Sequence, residues 1–254
     1  RELPLAAIFR VTDRAGAAPD AIDAALAARI AEPFDLEGGP LVDVELARAG
    51  EAGHRPLVRL HHLAGDAVSM QVLLAEALAL YAAARPGTEA PLRPLPVQYK
   101  DFAAWQRARL AQGGAAASRR YWLDTLDAAM PRVRIAPDRE APDGAASASV
   151  TARAVVDDGL AAGVRALAAR EQTTVFGVMV SAIYALLHRY TGEEDLVIGS
   201  TVSRRDHPAL EDQIGCYIDT IVLRGRAAAG DTAAALVGRT ARVCREAIAH
   251  RDYP

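Results

Sequence analysis

The chain has 254 residues, 51% of them apolar and 24% charged, with a formal net charge of -3. That is enough apolar material for one or two domains with real cores, and too little positive charge for a protein that grips nucleic acid or an anionic membrane. Two cysteines, Cys216 and Cys244, make neither a disulfide framework nor a zinc knuckle, and are most simply buried apolar residues. No apolar run reaches the length of a membrane span and no leader is visible, so the cytoplasm is the expected compartment. Arg1 enters an expected strand and the last helix halts at Asp252, Tyr253 and Pro254. The chain therefore reads as part of a longer polypeptide, cut at both ends.

In chain order, a strand is expected over residues 5–11 and a helix over 20–30 with Asp20 as its N-cap. Residues 34–40 are rich in turn formers, and 41–46 alternate like a strand. A short apolar run over 57–62 reads as a buried strand, and Met70, Leu73, Leu74, Ala77, Leu78 and Tyr81 recur at helical spacing within an expected helix over 69–84. Two further helices are expected over 99–110 and 118–126, with Tyr99, Phe102, Trp105, Tyr121 and Trp122 packing them together. Residues 131–149 carry prolines, glycine and charge without apolar period and form the expected linker between 1–130 and 150–254. The second half continues with a strand near 150–156, helices over 158–169 and 174–190, and strands over 196–202 and 216–223; a last helix is capped by Asp231. Strands alternating with helices predict α/β layers.

Chemistry gathers at one place. His61 and His62 close the 57–62 run, and Asp66 follows His62 by four residues. An imidazole titrates near neutral pH and can move a proton or steady a developing charge, and a carboxylate nearby can orient it or tie down the loop through an arginine. Arg59, Arg204 and Arg205 are the candidate partners. Metal binding by His61, His62 and Asp66 is disfavoured, because adjacent strand residues point to opposite faces. No phosphate-binding loop, dinucleotide fingerprint or serine elbow is present.

Four ordered segments resemble the condensation domains of nonribosomal peptide synthetases. HHLAGDAVS, from His61 to Ser69, is similar to their HHxxxDG core, and PFDLEGGPL to the stretch before it. PLPVQYKDFAAWQR resembles the PxQYxDYAxWQR segment, and IGSTVSRRDHPALEDQIGCYIDTIVL resembles a later segment of the family. The resemblance implies an α/β fold of two chloramphenicol-acetyltransferase-like lobes arranged in a V, incomplete in this chain. It implies an acyltransferase-type domain of secondary-metabolite and antibiotic assembly. Such a domain joins a carrier-bound acyl or peptidyl thioester to the amine of a carrier-bound aminoacyl group.

By motif position, His62 and Asp66 are the catalytic pair, with Asp66 in a structural role. His61, Ala67, Ser69, Arg205 and Asp219 support them, and Arg205 is the expected ionic partner of Asp66. No cofactor or metal is bound directly; phosphopantetheine comes with upstream and downstream carrier domains, beside an adenylation domain. The chain departs from the family at three places: Ala67 stands for glycine, Asp219 for asparagine, and Cys216-Tyr217 for paired aromatics. Glycine at the first position leaves room for substrates and permits backbone angles that alanine resists. These departures keep open a second reading, a catalytically impaired domain that docks a tailoring enzyme. An epimerisation domain, which shares HHxxxDG, is a third.

Overall fold

The computed structural model describes residues 4–84, 92–126, 130, 131, 133–135 and 151–253. They fall into two compact units, each made of two stretches of chain: Arg1–Arg107 with Ser203–Ile218, and Ala108–Val202 with Asp219–Pro254. This division differs from a cut between 130 and 150, since a later segment returns to the first unit. Most of the expected linker over 131–149 lies outside the described residues.

In the first unit, one helical turn, α1 (Leu5–Ile8), precedes strand β1 (Phe9–Asp13). The expected strand over 5–11 thus begins late. Only Phe9–Asp13 finds a ladder, pairing parallel with Val44–Arg48, and the Ala7 N–H instead donates to the Pro4 carbonyl at 2.9 Å. Helix α2 (Pro19–Ala31) has Ala18, not Asp20, at its N-cap. Proline at the first helical position has its φ already set and no N–H to satisfy, and Asp20 in the first turn meets the positive end of the helix dipole.

Strands β2 (Val42–Arg48) and β3 (His54–Leu60) pair antiparallel, giving the order β1-β2-β3. Asp43, Glu45 and Ala47 are buried at alternate positions of β2, so one buried face carries two carboxylates. Asp43 sits opposite Arg59 in the register, and Arg29 of α2 reaches Asp43 at 3.1 Å. Buried acids survive there because arginines meet them. Beyond the sheet come α3 (Ala67–Ala83) and α4 (Tyr99–Ala111).

The second unit holds α5 (Ala116–Thr125), α6 (Asp158–Arg170), α7 (Val175–Thr191), β4 (Asp195–Ser203), β5 (Ile218–Arg226) and α8 (Ala233–Ala249). The two strands pair, their terminal residues Ser203 and Ile218 being counted with the first unit. Val180, Tyr184, Leu196, Ile221, Leu223 and Cys244 form the core. Thr174 caps α7 by accepting the Gly177 N–H at 3.1 Å, and Gly192 at φ 75° ends it.

Two expectations fail in this unit. Thr232, not Asp231, caps α8, accepting the Ala235 N–H at 3.2 Å; Asp231 instead takes the Ala228 N–H at 2.7 Å and pairs with Arg239. Residues 151–157 are irregular rather than a strand, with Val155 99% exposed; no described strand pairs with them. The aromatic residues expected to pack two helices together lie in both units. Tyr99 and Phe102 pack on Tyr217 in the first unit, with ring centroids 5.1 and 4.9 Å away. Tyr121 stacks on His250 at 4.2 Å in the second, where the Trp122 indole N–H also donates to the His250 carbonyl at 2.8 Å. Among the described residues no helix is long and apolar enough to cross a membrane.

Candidate active site

Strand β3 stops at Leu60, one residue short of the histidines, although the His61 N–H makes one more bond, to the Leu41 carbonyl at 2.8 Å. The chain then turns, with the Ala64 N–H donating to the His61 carbonyl at 2.8 Å. The two imidazoles have different surroundings. His61 is half-buried against the edge of Phe34, and its Nδ1 accepts the Leu63 N–H at 3.1 Å. His62 is exposed, its Nδ1 3.9 Å from the Cys216 thiol. Gly65 closes the turn in a tight place: a Cβ there would stand 2.6 Å from Leu60 Cδ2 and 2.9 Å from Ser69 Cβ.

Asp66 then starts α3. Its Oδ1 accepts the Ser69 N–H at 2.8 Å, which makes it the N-cap, and also accepts from Arg205 Nη2 at 3.0 Å. Its Oδ2 accepts the Tyr217 N–H at 3.0 Å. A cap role and an ion-pair role are therefore combined in one carboxylate. Burial alone would raise the Asp66 carboxyl; the bonds from Ser69, Arg205 and Tyr217 outweigh it and keep the acid below its ordinary range. None of these bonds comes from His62, so Asp66 fixes the loop rather than polarising the ring.

Arg205 ties the network together. Its Nη1 donates to the carbonyls of Leu210 at 2.6 Å and Gln213 at 2.8 Å, and its Nη2 donates to Ser69 Oγ at 3.0 Å as well as to Asp66. The guanidinium lies over the Tyr217 ring, 4.2 Å from its centroid. Burial pushes the Tyr217 phenol up, against the opposing pull of Arg205. Ser69, fully buried, takes the Gly215 N–H at 3.0 Å and gives its single hydroxyl proton to one of two acceptors at 2.8 Å, Asp66 Oδ1 or the Gly215 carbonyl.

Of the residues singled out in the sequence, Asp66, Ser69 and Arg205 share one hydrogen-bond network, while His62 stands beside Cys216 and His61 beside Phe34. Arg59 faces Asp43 rather than Asp66. Ala67 is the exposed first residue of α3. Its backbone is ordinary, since the described non-glycine residue with positive φ is Gln172; only the steric argument against alanine applies. Asp219 lies on β5 in the second unit. Cys216 is half-buried rather than a core residue, being displayed beside His62.

Gly215 and Tyr217 were not legible as site residues. A Cβ on Gly215 would stand 2.2 Å from Tyr99 Cδ2, so the close approach of this strand entry to α4 demands glycine. A glycine followed by an aromatic just before an apolar strand was the available signal. Among the described residues no group of three or more His, Cys, Asp or Glu side chains is placed to hold a metal ion.

The α/β fold is that of chloramphenicol-acetyltransferase-like condensation domains. A family model described as "Condensation domain" matches residues 1–254, and the chain belongs to that family. It is 36% identical over 228 residues to malpibaldin synthetase of Mortierella alpina, and 36% identical over 243 residues to phosphinothricin tripeptide synthetase PhsC of Streptomyces viridochromogenes. Those alignments cover 90% and 94% of the chain but only 4% and 22% of the synthetases.

Among solved structures, the X-domain from teicoplanin biosynthesis superposes with a TM-score of 0.82 at 28% identity, over 96% of this chain and 55% of that one. The same X-domain in complex with OxyB gives 0.81 at 29%, with the same coverage. The first condensation domain of the CDA synthetase shares the fold, with a TM-score of 0.73 at 21% identity over 97% of this chain and 55% of its own.

Proposed function

We propose that the chain is part of a domain that forms amide bonds. It would join an acyl or peptidyl thioester on one carrier to the amine of an aminoacyl thioester on another, with His62 at the reacting atoms. One observation carries this reading: an exposed imidazole sits on a turn whose base is fixed by a buried, fully hydrogen-bonded carboxylate. An α-amino group titrates near pH ~8, so part of it is neutral at working pH and no strong base is required. His62 orients the amine and balances charge as the tetrahedral intermediate forms and collapses. The carriers bring phosphopantetheine as part of the substrates, an adjacent adenylation domain loads them, and the chain needs no cofactor of its own.

The test is product formation between loaded carriers. His62→Ala lowers the rate roughly a hundredfold or more while the unfolding midpoint stays put. Wild-type rates in that variant refute the assignment. A second reading is supported by the likeness to the X-domain, a domain whose structure is also known in complex with OxyB, and by Ala67 where the family has glycine. In it the chain docks a tailoring enzyme. No amide from loaded carriers, together with direct binding of a tailoring oxidase, decides for that reading.

A further inference from the structure

Cys216 is the group beside His62 that amide formation leaves unused. Its backbone is pinned on every side. Gly215 before it donates to Ser69 Oγ at 3.0 Å, Tyr217 after it donates to Asp66 at 3.0 Å, and its own carbonyl accepts the Tyr99 phenol at 3.1 Å. The residue is thus held by the same network that fixes the histidine turn, and its Sγ lies 3.9 Å from His62 Nδ1. The other thiol makes the contrast. Cys244 is buried in the core of the second unit, where burial pushes it up and away from the reactive thiolate form. A half-buried thiol beside an exposed imidazole is a nucleophile with its base in reach.

We infer that Cys216 is an acyl acceptor, taking the acyl group of an acyl-pantetheine thioester to form an S-acyl cysteine. His62 Nδ1 receives the thiol proton, Sγ attacks the carbonyl carbon, and the bond from that carbon to the pantetheine sulfur breaks. The leaving sulfur departs with the proton held by His62. One thioester is exchanged for another, so no oxidant or reductant is consumed and the step is reversible. The acyl group is parked beside the histidine until an amine or a pantetheine thiol removes it. The inference rests on the reading that acyl thioesters reach this site.

The natural polypeptide is incubated with acetyl-pantetheine without an acceptor amine, then digested with trypsin. The peptide of residues 206–224, which contains Cys216, is weighed. The expected result is an acetyl adduct that hydroxylamine removes. It is absent from Cys216→Ala and from the closer-shaped Cys216→Ser as a hydroxylamine-labile species, and it forms roughly a hundredfold more slowly in His62→Ala. Amide formation between loaded carriers is measured in parallel on the wild type. Amide without adduct overturns the inference and leaves the proposed function standing. Adduct without amide sustains the inference and sinks that function, and neither product sinks both. An adduct formed at the wild-type rate in His62→Ala also overturns it.

Discussion

Two buried charge networks in the first unit show how differently ion pairs can be used. Around Asp66, both carboxylate oxygens are hydrogen-bonded, and the partners Arg205 and Tyr217 lie 139 and 151 residues further along the chain. Around Asp43, the partners Arg29 and Arg59 lie close in sequence. There Asp43 Oδ1, Arg29 Nε and Arg59 Nη1 lack hydrogen-bond partners among the described residues, and a cavity of about 330 Å3 opens beside them. In the first network the orphaned atoms lie away from the acid, at Arg205 Nε, the Tyr217 hydroxyl and Gln213 Oε1. A carboxylate bonded at both oxygens specifies one geometry, whereas one bonded at a single oxygen leaves slack in a sheet that its backbone ladder already defines. The doubly bonded carboxylate holds the histidine turn.

The largest expected effect separates the two. Asp66→Ala strands the Arg205 charge and costs about 3–5 kcal/mol in denaturant unfolding, whereas Asp43→Ala costs less than half of that. Equal losses would erase the distinction. Next comes Arg205→Lys. An ammonium cannot serve the Leu210, Gln213, Ser69 and Asp66 acceptors as a planar fork does, so about 1–3 kcal/mol is lost although charge is kept. Full stability in that variant would show that charge alone maintains the loop.

The smallest effect is a pH dependence. The folded Asp66 carboxyl lies below its unfolded value, so its contribution is complete above the unfolded pKa and drains away as pH falls through the folded one. The stability gap between wild type and Asp66→Asn should therefore narrow on acidification from about pH 5 to pH 2. A gap constant over that range would mean that Asp66 titrates alike in both states.

Much of this was visible in the sequence, for identifiable reasons. The helices and inner strands follow from apolar spacing, and their ends moved where a local bond decided: Asp66 pulls the start of α3 forward to Ala67, and the ladder ends before His61. The pairing of Asp66 with Arg205 came from the likeness of ordered motifs, since no periodicity reaches across 139 residues. Cys216 and Tyr217 entered only as departures from the family's paired aromatics, for the same reason. Read locally they are two apolar positions leading into a strand, and only long-range contacts, the Tyr217 N–H with Asp66 and the Cys216 thiol with His62, give them a place at the site. The strand expected near residue 150 had propensity but no described neighbour to complete a ladder.

The return of Ser203–Ile218 to the first unit matters to anyone recombining synthetases. A crossover placed between the N-terminal and C-terminal halves looks harmless on a linear map. It would hand the histidine turn from one parent to the arginine, glycine and tyrosine of another. A chimera that keeps its parental 203–218 stretch inherits a matched clasp; one that trades it away must hope that two lineages cut the same key.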